Sequence, residues 1–142
     1  MRSRSLVAIV ALALGAACGD PTGPLNGGWR YSTSEMTSVL YPNVICMISD
    51  VTMNLSHKGT SLTGRTSGGS VLCTSQGHLS VPMPLAADVS GFVRDSVINF
   101  TMVGIKNVGI RVGDQVVGVA SVPVDIVSGD TVSISGQFRL LR

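Results

Sequence analysis

Hydrophobic and polar side chains alternate with a period of two along much of this chain, most clearly from residue 51 to residue 66. The apolar members of the first half are Val51, Met53 and Leu55, and the polar members are Thr52, Asn54 and Ser56. Successive side chains of a β-strand leave on opposite faces, so this alternation is typical of a half-buried strand. Lys58-Gly59 supplies a turn, since Gly59 can take a positive φ, and residues 60–66 return as the second strand. The pattern predicts a β-hairpin.

Similar patterns predict strands on both sides of this hairpin. The first strand carries Trp29, Tyr31 and Thr33 on one face, and a loop is expected at residues 34–43. Residues 44–48 are apolar and are expected to join or lead into the first strand of the hairpin. Further strands are predicted at residues 70–74, 87–93, 96–103, 115–127 and 131–141, with residues 78–83 as an additional candidate. The stretch 107–112 is ambiguous, and Pro123 indicates a bulge or an edge position because proline has no N–H to donate.

These strands define the fold class, which is all-β. About eight strands in consecutive hairpins form an up-and-down meander, and no helical periodicity follows residue 20. An open meander of this size exposes two edges, whereas closing it into a barrel removes both. An eight-stranded barrel has an interior that side chains fill, or one with room for a small ligand.

The first residues form a different kind of segment. Arg2 and Arg4 precede an apolar run from Leu6 to Ala17. Twelve residues span about 18 Å as a helix, which is short of the roughly 30 Å hydrocarbon core of a bilayer. We therefore predict a signal peptide at residues 1–17, a tether at 18–24 and a β-barrel domain at 25–142.

The end of this leader resembles a bacterial lipobox. Gly15-Ala16-Ala17 places small residues before Cys18, although the leucine usual at the position of Gly15 lies one residue earlier, at Leu14. The resemblance implies that Cys18 is lipidated and becomes the new amino terminus. The protein would then be a membrane-anchored lipoprotein of the cell envelope, in the periplasm or the outer membrane. Ordinary signal cleavage is the alternative, because Gly15 and Ala17 also satisfy the small-x-small rule.

Charge is scarce and balanced. Two of the ten Lys and Arg residues lie in the leader, which leaves eight against eight Asp and Glu residues. No cluster of cations follows the leader, so the sequence predicts no nucleic-acid partner and no polybasic membrane surface. We expect contact with the membrane only through the lipid on Cys18.

Two cysteines remain in the predicted barrel domain. Cys46 precedes the central hairpin and Cys73 follows it, and an exported protein meets an oxidising compartment. We predict a disulfide between them that clasps the barrel and stabilises it by roughly 3–4 kcal/mol on the chain-entropy model. No Cys-x-x-Cys motif and no zinc-finger spacing offers another role.

Two short motifs resemble calycin barrels. Gly27-Gly28-Trp29 is similar to the Gly-x-Trp signature on the first strand of lipocalins and avidins, and Gly59 to Gly64 is similar to the second hairpin of avidins. The chain as a whole resembles small exported bacterial lipoproteins with a calycin-like barrel. The resemblance implies that Trp29 plugs the barrel and that an arginine near the carboxyl end covers it. Arg142 is the better candidate than Arg139 because it shares the inward parity of the last strand.

The sequence contains few candidate catalytic residues. His57 and His78 are the histidines, no Gly-x-Ser-x-Gly elbow surrounds a serine, and most aspartates fall at turns. We expect no enzyme activity, no cofactor and no metal.

Several functions remain open. The leading hypothesis is a lipid-anchored envelope barrel with a binding or scaffold role toward an envelope protein or a small apolar ligand. An alternative is an inhibitor of an envelope hydrolase that acts through a loop at residues 34–43 or 104–114. A carrier of a small apolar ligand is less favoured, and an enzyme least.

Overall fold

The protein folds as an all-β structure, seen here in a computed structural model that describes residues 25–75, 77–126 and 129–142. The predicted signal peptide, the lipidation site Cys18 and the tether lie outside the described residues. In chain order the described strands are β1 Gly27–Thr33, β2 Val44–Ser49, β3 Val51–Lys58, β4 Ser61–Ser67, β5 Ser70–Ser75, β6 His78–Leu79, β7 Ala87–Arg94, β8 Val97–Met102, β9 Ile105–Val112, β10 Gln115–Asp125 and β11 Thr131–Leu141.

Eight of these strands close into an antiparallel barrel in the order β1, β11, β10, β9, β8, β7, β4, β3. Strand β1 completes the closure, because Tyr31 lies opposite Val51 of β3 on one side and opposite Leu140 of β11 on the other. Each barrel strand pairs with the barrel strands before and after it in the chain. The predicted eight-stranded up-and-down barrel is therefore confirmed, and it is compatible with a calycin-like fold.

The other three strands form a separate antiparallel sheet in the order β2, β5, β6, here called the accessory sheet. Its members are inserted between β1 and β3 and between β4 and β7. The expectation that residues 44–48 join the strand of the central hairpin is wrong, because they form β2 in this second sheet, and residues 70–74, expected in the meander, form β5 beside it. Strand β3 already pairs with β1 and β4, and β4 already pairs with β3 and β7, so neither has an edge left for β2 or β5.

The predicted disulfide between Cys46 and Cys73 is confirmed. The two residues face each other directly in the β2–β5 pairing. The bond therefore clasps the accessory sheet and joins no two barrel strands, which corrects the expectation of a clasp on the barrel itself. The loop that it closes nevertheless contains β3 and β4, so the link also restricts the central hairpin in the unfolded chain.

The two ends of the barrel carry different structures. Leu25, the β3–β4 turn and Arg142 lie at one end, here called the Leu25 end. The accessory sheet lies at the other, here called the sheet end, where the side chain of Thr33 accepts a hydrogen bond from the Ile48 N–H at 3.0 Å. The inward side chains of β2 are buried in the same core as the barrel interior. The accessory sheet therefore packs on that end.

The ambiguous stretch 107–112 proves to be most of a regular strand. Strand β9 pairs with β8 and β10 along its length, and it places Asn107 and Gly109 inward with Val108 and Ile110 outward. Because a polar residue and a glycine point inward here while two apolar residues point outward, the sequence pattern alone does not identify the buried face of this strand. Pro123 meets the expectation of an edge position, because β10 extends past its pairing with β9, which ends at Ser121, while its register with β11 continues without a bulge.

Side chains fill the barrel interior. At its centre the rings of Tyr31, Phe100 and Phe138 contact one another with centroids 5.6–6.3 Å apart. Gly109 and Gly118 pair across β9 and β10 beneath Phe138, and a Cβ on either would lie within 3 Å of its ring. The two glycines thus provide the space that the Phe138 ring occupies.

One polar pair is buried within this core. The Tyr31 hydroxyl donates a hydrogen bond to Asn107 Oδ1 at 2.8 Å, and Asn107 Nδ2 donates to the carbonyl oxygen of Ile105 at 3.2 Å. Burial raises the pKa of the Tyr31 hydroxyl well above its ordinary value of 10.0. The hydroxyl therefore stays protonated and keeps its role as a donor.

Replacing Tyr31 by Phe tests this pair. At neutral pH the change leaves Asn107 Oδ1 buried without its donor, so the free energy of unfolding should fall by about 1–3 kcal/mol. At alkaline pH a second effect, the ionisation of Tyr31 in the unfolded chain, lowers the stability of the wild type. The unfolded chain ionises near pH 10 while the folded chain keeps the proton, so wild-type stability should fall by about 1.4 kcal/mol by about pH 11. Tyr31→Phe should lack this component. Urea unfolding of both proteins across this pH range is the measurement, and equal alkaline losses would contradict the assignment.

Candidate functional site

Trp29 and Arg142 meet at the Leu25 end of the barrel. The guanidinium of Arg142 lies 5.1 Å from the centroid of the Trp29 ring and donates a hydrogen bond to the Asn26 carbonyl oxygen at 2.8 Å. The Trp29 indole N–H donates to the Leu25 carbonyl oxygen at 2.9 Å, and the ring is buried. Arg139, the other candidate, points outward on β11. The guanidinium thus lies over the face of the indole ring, and the indole N–H and the guanidinium each donate to a backbone carbonyl oxygen.

The two histidines are far apart in the pairing scheme and have local roles. His57 Nδ1 accepts from the Leu25 N–H at 3.4 Å, and its Nε2 contacts the Gly59 carbonyl oxygen at 2.7 Å. His78 is exposed on the short strand β6. Within the residues that the structure describes, no three His, Cys, Asp or Glu side chains are grouped closely enough to hold a metal ion.

The sheet end presents an uncharged and partly apolar surface. Between Glu35 and Asp50, and again between Arg65 and Asp88, the sequence contains no Asp, Glu, Lys or Arg. These two segments supply the accessory sheet and its loops. Their exposed large apolar residues are Val39, Leu40, Tyr41, Met47, Leu79, Val81 and Met83. We call this set the sheet-end surface. Exposed apolar residues collected in one region mark interaction sites more often than isolated ones do.

The most protruding part of this surface is the loop at residues 38–41. Val39 is 98% exposed and Leu40 is 81% exposed. The base of the loop is fixed on both sides, because Thr37 pairs with Ser135 of β11 and the Val44 N–H donates to the Tyr41 carbonyl oxygen at 3.1 Å. The loop therefore displays an apolar tip on a rigid base. Residues 104–114, the other predicted contact loop, instead form β9 with a turn at each end.

A cleft of about 750 Å³ lies on the outer wall of the barrel, where β1, β11, β10 and β9 run side by side. We call it the outer cleft. Its lining includes Arg30, Asp50, Ile110, Val119 and Arg139. A second concavity, of about 400 Å³, lies beside Trp29 and Arg142. Both are on the outside of the barrel, and the interior between them is filled by the core.

Of these surfaces the sequence predicts only the contact loop at residues 34–43, although two further signals are present. A disulfide between Cys46 and Cys73 brings together the segments on both sides of the central hairpin. This proximity is a signal of contact outside the meander. The second signal concerns the outer cleft and its lining residue Ile110, an apolar residue that follows Gly109 in a strand whose inward positions include Asn107 and Gly109.

Comparison with known proteins finds no matching family model, no matching curated protein and no matching solved structure. Among the residues that the structure describes, no helix combines the length and the apolar character that crossing a membrane requires.

Removing the disulfide tests whether the accessory sheet depends on this bond more than the barrel does. The variant Cys46→Ala/Cys73→Ala should lower the free energy of unfolding by about 2–4 kcal/mol, since the unfolded chain regains the freedom of the closed loop. Hydrogen exchange should lose protection at residues 44–49 and 70–75, while the strands of the barrel keep theirs. Wild type treated with a reducing agent is the matched control. Equal loss of protection in β8 to β11 would show that the barrel depends on the bond, against this description.

Proposed function

We propose that this chain is an exported, non-catalytic protein of the cell envelope, anchored by a lipid on Cys18, whose barrel is a rigid scaffold for binding an envelope protein. The observation that supports this most is the sheet-end surface. Protein interfaces are depleted in charge at their centres and enriched in aromatic and methionine side chains. The two charge-free segments, residues 36–49 and 66–87, have this composition, with Tyr41, Met47 and Met83 exposed.

The position of the proposed anchor favours a protein partner over the membrane for this surface. Residues 18–24 lead into Leu25, and a stretch of this length spans at most roughly 25 Å. Leu25 lies at the end of the barrel opposite the accessory sheet. A lipid on Cys18 would thus bring the Leu25 end toward the bilayer and direct the sheet end away from it. The surface is then available to another envelope protein.

A second candidate function is inhibition of an envelope hydrolase. The loop at residues 38–41 favours it, because its exposed Val39 and Leu40 stand on a base held by strand pairing and by the neighbouring Cys46–Cys73 bond. A loop that is ordered before binding loses little conformational entropy when it enters a partner's cleft. The same loop would then be the inhibitory segment.

Site-specific photo-crosslinking in intact cells tests the proposed interface. A benzophenone amino acid in place of Leu40 should give one discrete protein adduct, and the same probe in place of Asp114, in a turn at the Leu25 end, should not. Adding Val39→Asp should abolish the adduct, because a carboxylate in the apolar tip opposes burial. Adducts from both positions, from neither, or to lipid alone would contradict the proposal. If the adduct contains a hydrolase, its activity should fall with wild type and not with Val39→Asp.

The anchor has its own test. Mass spectrometry of the protein isolated from its envelope should show a lipidated amino terminus at Cys18, and Cys18→Ser should release the protein in soluble form. A plain amino terminus with no lipid would establish ordinary signal cleavage instead. The interface test does not depend on this result.

A further inference from the structure

The outer cleft has an apolar wall where a barrel exterior is normally polar. In an antiparallel sheet with one face on the core, the outward positions usually carry polar residues. Here Val97 of β8, Ile110 of β9 and Val117 of β10 lie side by side in one row, and Val108 pairs with Val119 in the next. Ile110 and Val119 are about half exposed, at 48% and 53%. Several β-branched side chains on three adjacent strands thus form one apolar strip in contact with water.

A cationic edge borders this strip. Arg139 of β11 lies directly opposite Val117, and Arg30 of β1 lies directly opposite Leu141, which also lines the cleft. Side chains at directly opposed positions have Cβ atoms about 4.5–5.5 Å apart. The side chains of Arg139 and Arg30 therefore leave the sheet next to those of Val117 and Leu141. The one ion pair found among the described residues, Arg65 with Asp88, is elsewhere on the barrel. The guanidinium groups of Arg30 and Arg139 therefore make no salt bridge within that part of the chain.

An acid lies at the far edge of the cleft. Asp50 follows β2 with a positive φ of 52° and its backbone N–H donates to the Ser32 hydroxyl at 3.0 Å. Ser32 in turn lies directly opposite Arg139 in the pairing of β1 with β11, so Ser32 stands between Asp50 and Arg139. The cleft therefore contains two cations and one anion, a net charge of plus one beside an apolar strip.

We propose that the outer cleft binds a single-chain anionic amphiphile of the fatty-acid type. The carboxylate would lie against the guanidinium groups of Arg139 and Arg30, and the acyl chain along Ile110, Val117 and Val119. A volume of about 750 Å³ falls within the range of small-molecule sites, roughly 300–1,000 Å³. The combination of apolar strip and cationic edge favours an amphiphile over a fully apolar or a fully polar ligand. The site is independent of the sheet-end surface.

Calorimetric titration of the mature, full-length protein with dodecanoate below its micelle concentration tests this site. Arg139→Gln should weaken binding about three- to tenfold, since it removes one charge within several ångströms of the carboxylate in a partly solvated site. Asp50→Asn should strengthen binding about two- to threefold, and asparagine tolerates the positive φ at this position. Ile110→Asn should weaken binding at least tenfold by interrupting the strip.

Three controls make the outcome decisive. Arg65→Gln, on the outer face of β4, should leave the affinity for dodecanoate unchanged. Dodecyl maltoside, which has the same chain and no charge, should bind more weakly and with no difference between wild type and Arg139→Gln. Circular dichroism should show that every variant is folded. No binding of dodecanoate, the same affinity in all variants, or self-association of the protein that Ile110→Asn abolishes would each overturn the proposal, the last by assigning the strip to a second copy of the chain.

Discussion

Packing of three aromatic rings in the middle of the barrel is the constraint on which the rest of the structure depends. Tyr31, Phe100 and Phe138 come from β1, β8 and β11, so their mutual contact ties opposite walls of the barrel together. The ring of Phe138 can enter only because β9 and β10 have Gly109 and Gly118 beneath it. A barrel filled in this way has its core in a single well-packed arrangement. The binding sites proposed above accordingly lie on the outside of the barrel.

Charged residues are distributed unevenly between the barrel and the accessory sheet. The segments 36–49 and 66–87, which contain the accessory sheet, have no Asp, Glu, Lys or Arg. The barrel strands and their turns therefore carry the charged side chains, and the accessory sheet carries an uncharged surface. The outer cleft combines both kinds of surface, with Arg139 beside Val117. The two proposed binding regions differ in chemistry as a result, and they are expected to select different partners.

Local periodicity was sufficient to predict the barrel, because its strands pair mainly with their sequence neighbours. The first strand, the central hairpin and the last hairpin were recognised from alternating residues such as Met53 and Leu55. The accessory sheet was not, since residues 44–48 are a continuous apolar run next to the central hairpin and β2 pairs with β5 across that hairpin. Pairing across an intervening hairpin leaves no trace in local pattern. The outer cleft was missed for a different reason: β9 turns its apolar side chains outward, which made its sequence ambiguous.

The interior packing can be tested most directly by replacing Phe138 with Ala and measuring the free energy of unfolding in denaturant. A large side chain removed from a filled core leaves a cavity, so the loss should be about 3–5 kcal/mol. Phe92→Ala, on the half-exposed outer face of β7, is the matched control and should cost far less. A loss of about 1 kcal/mol or less for Phe138→Ala would indicate a hollow interior and would contradict the account of a filled barrel that binds only through its outer surfaces.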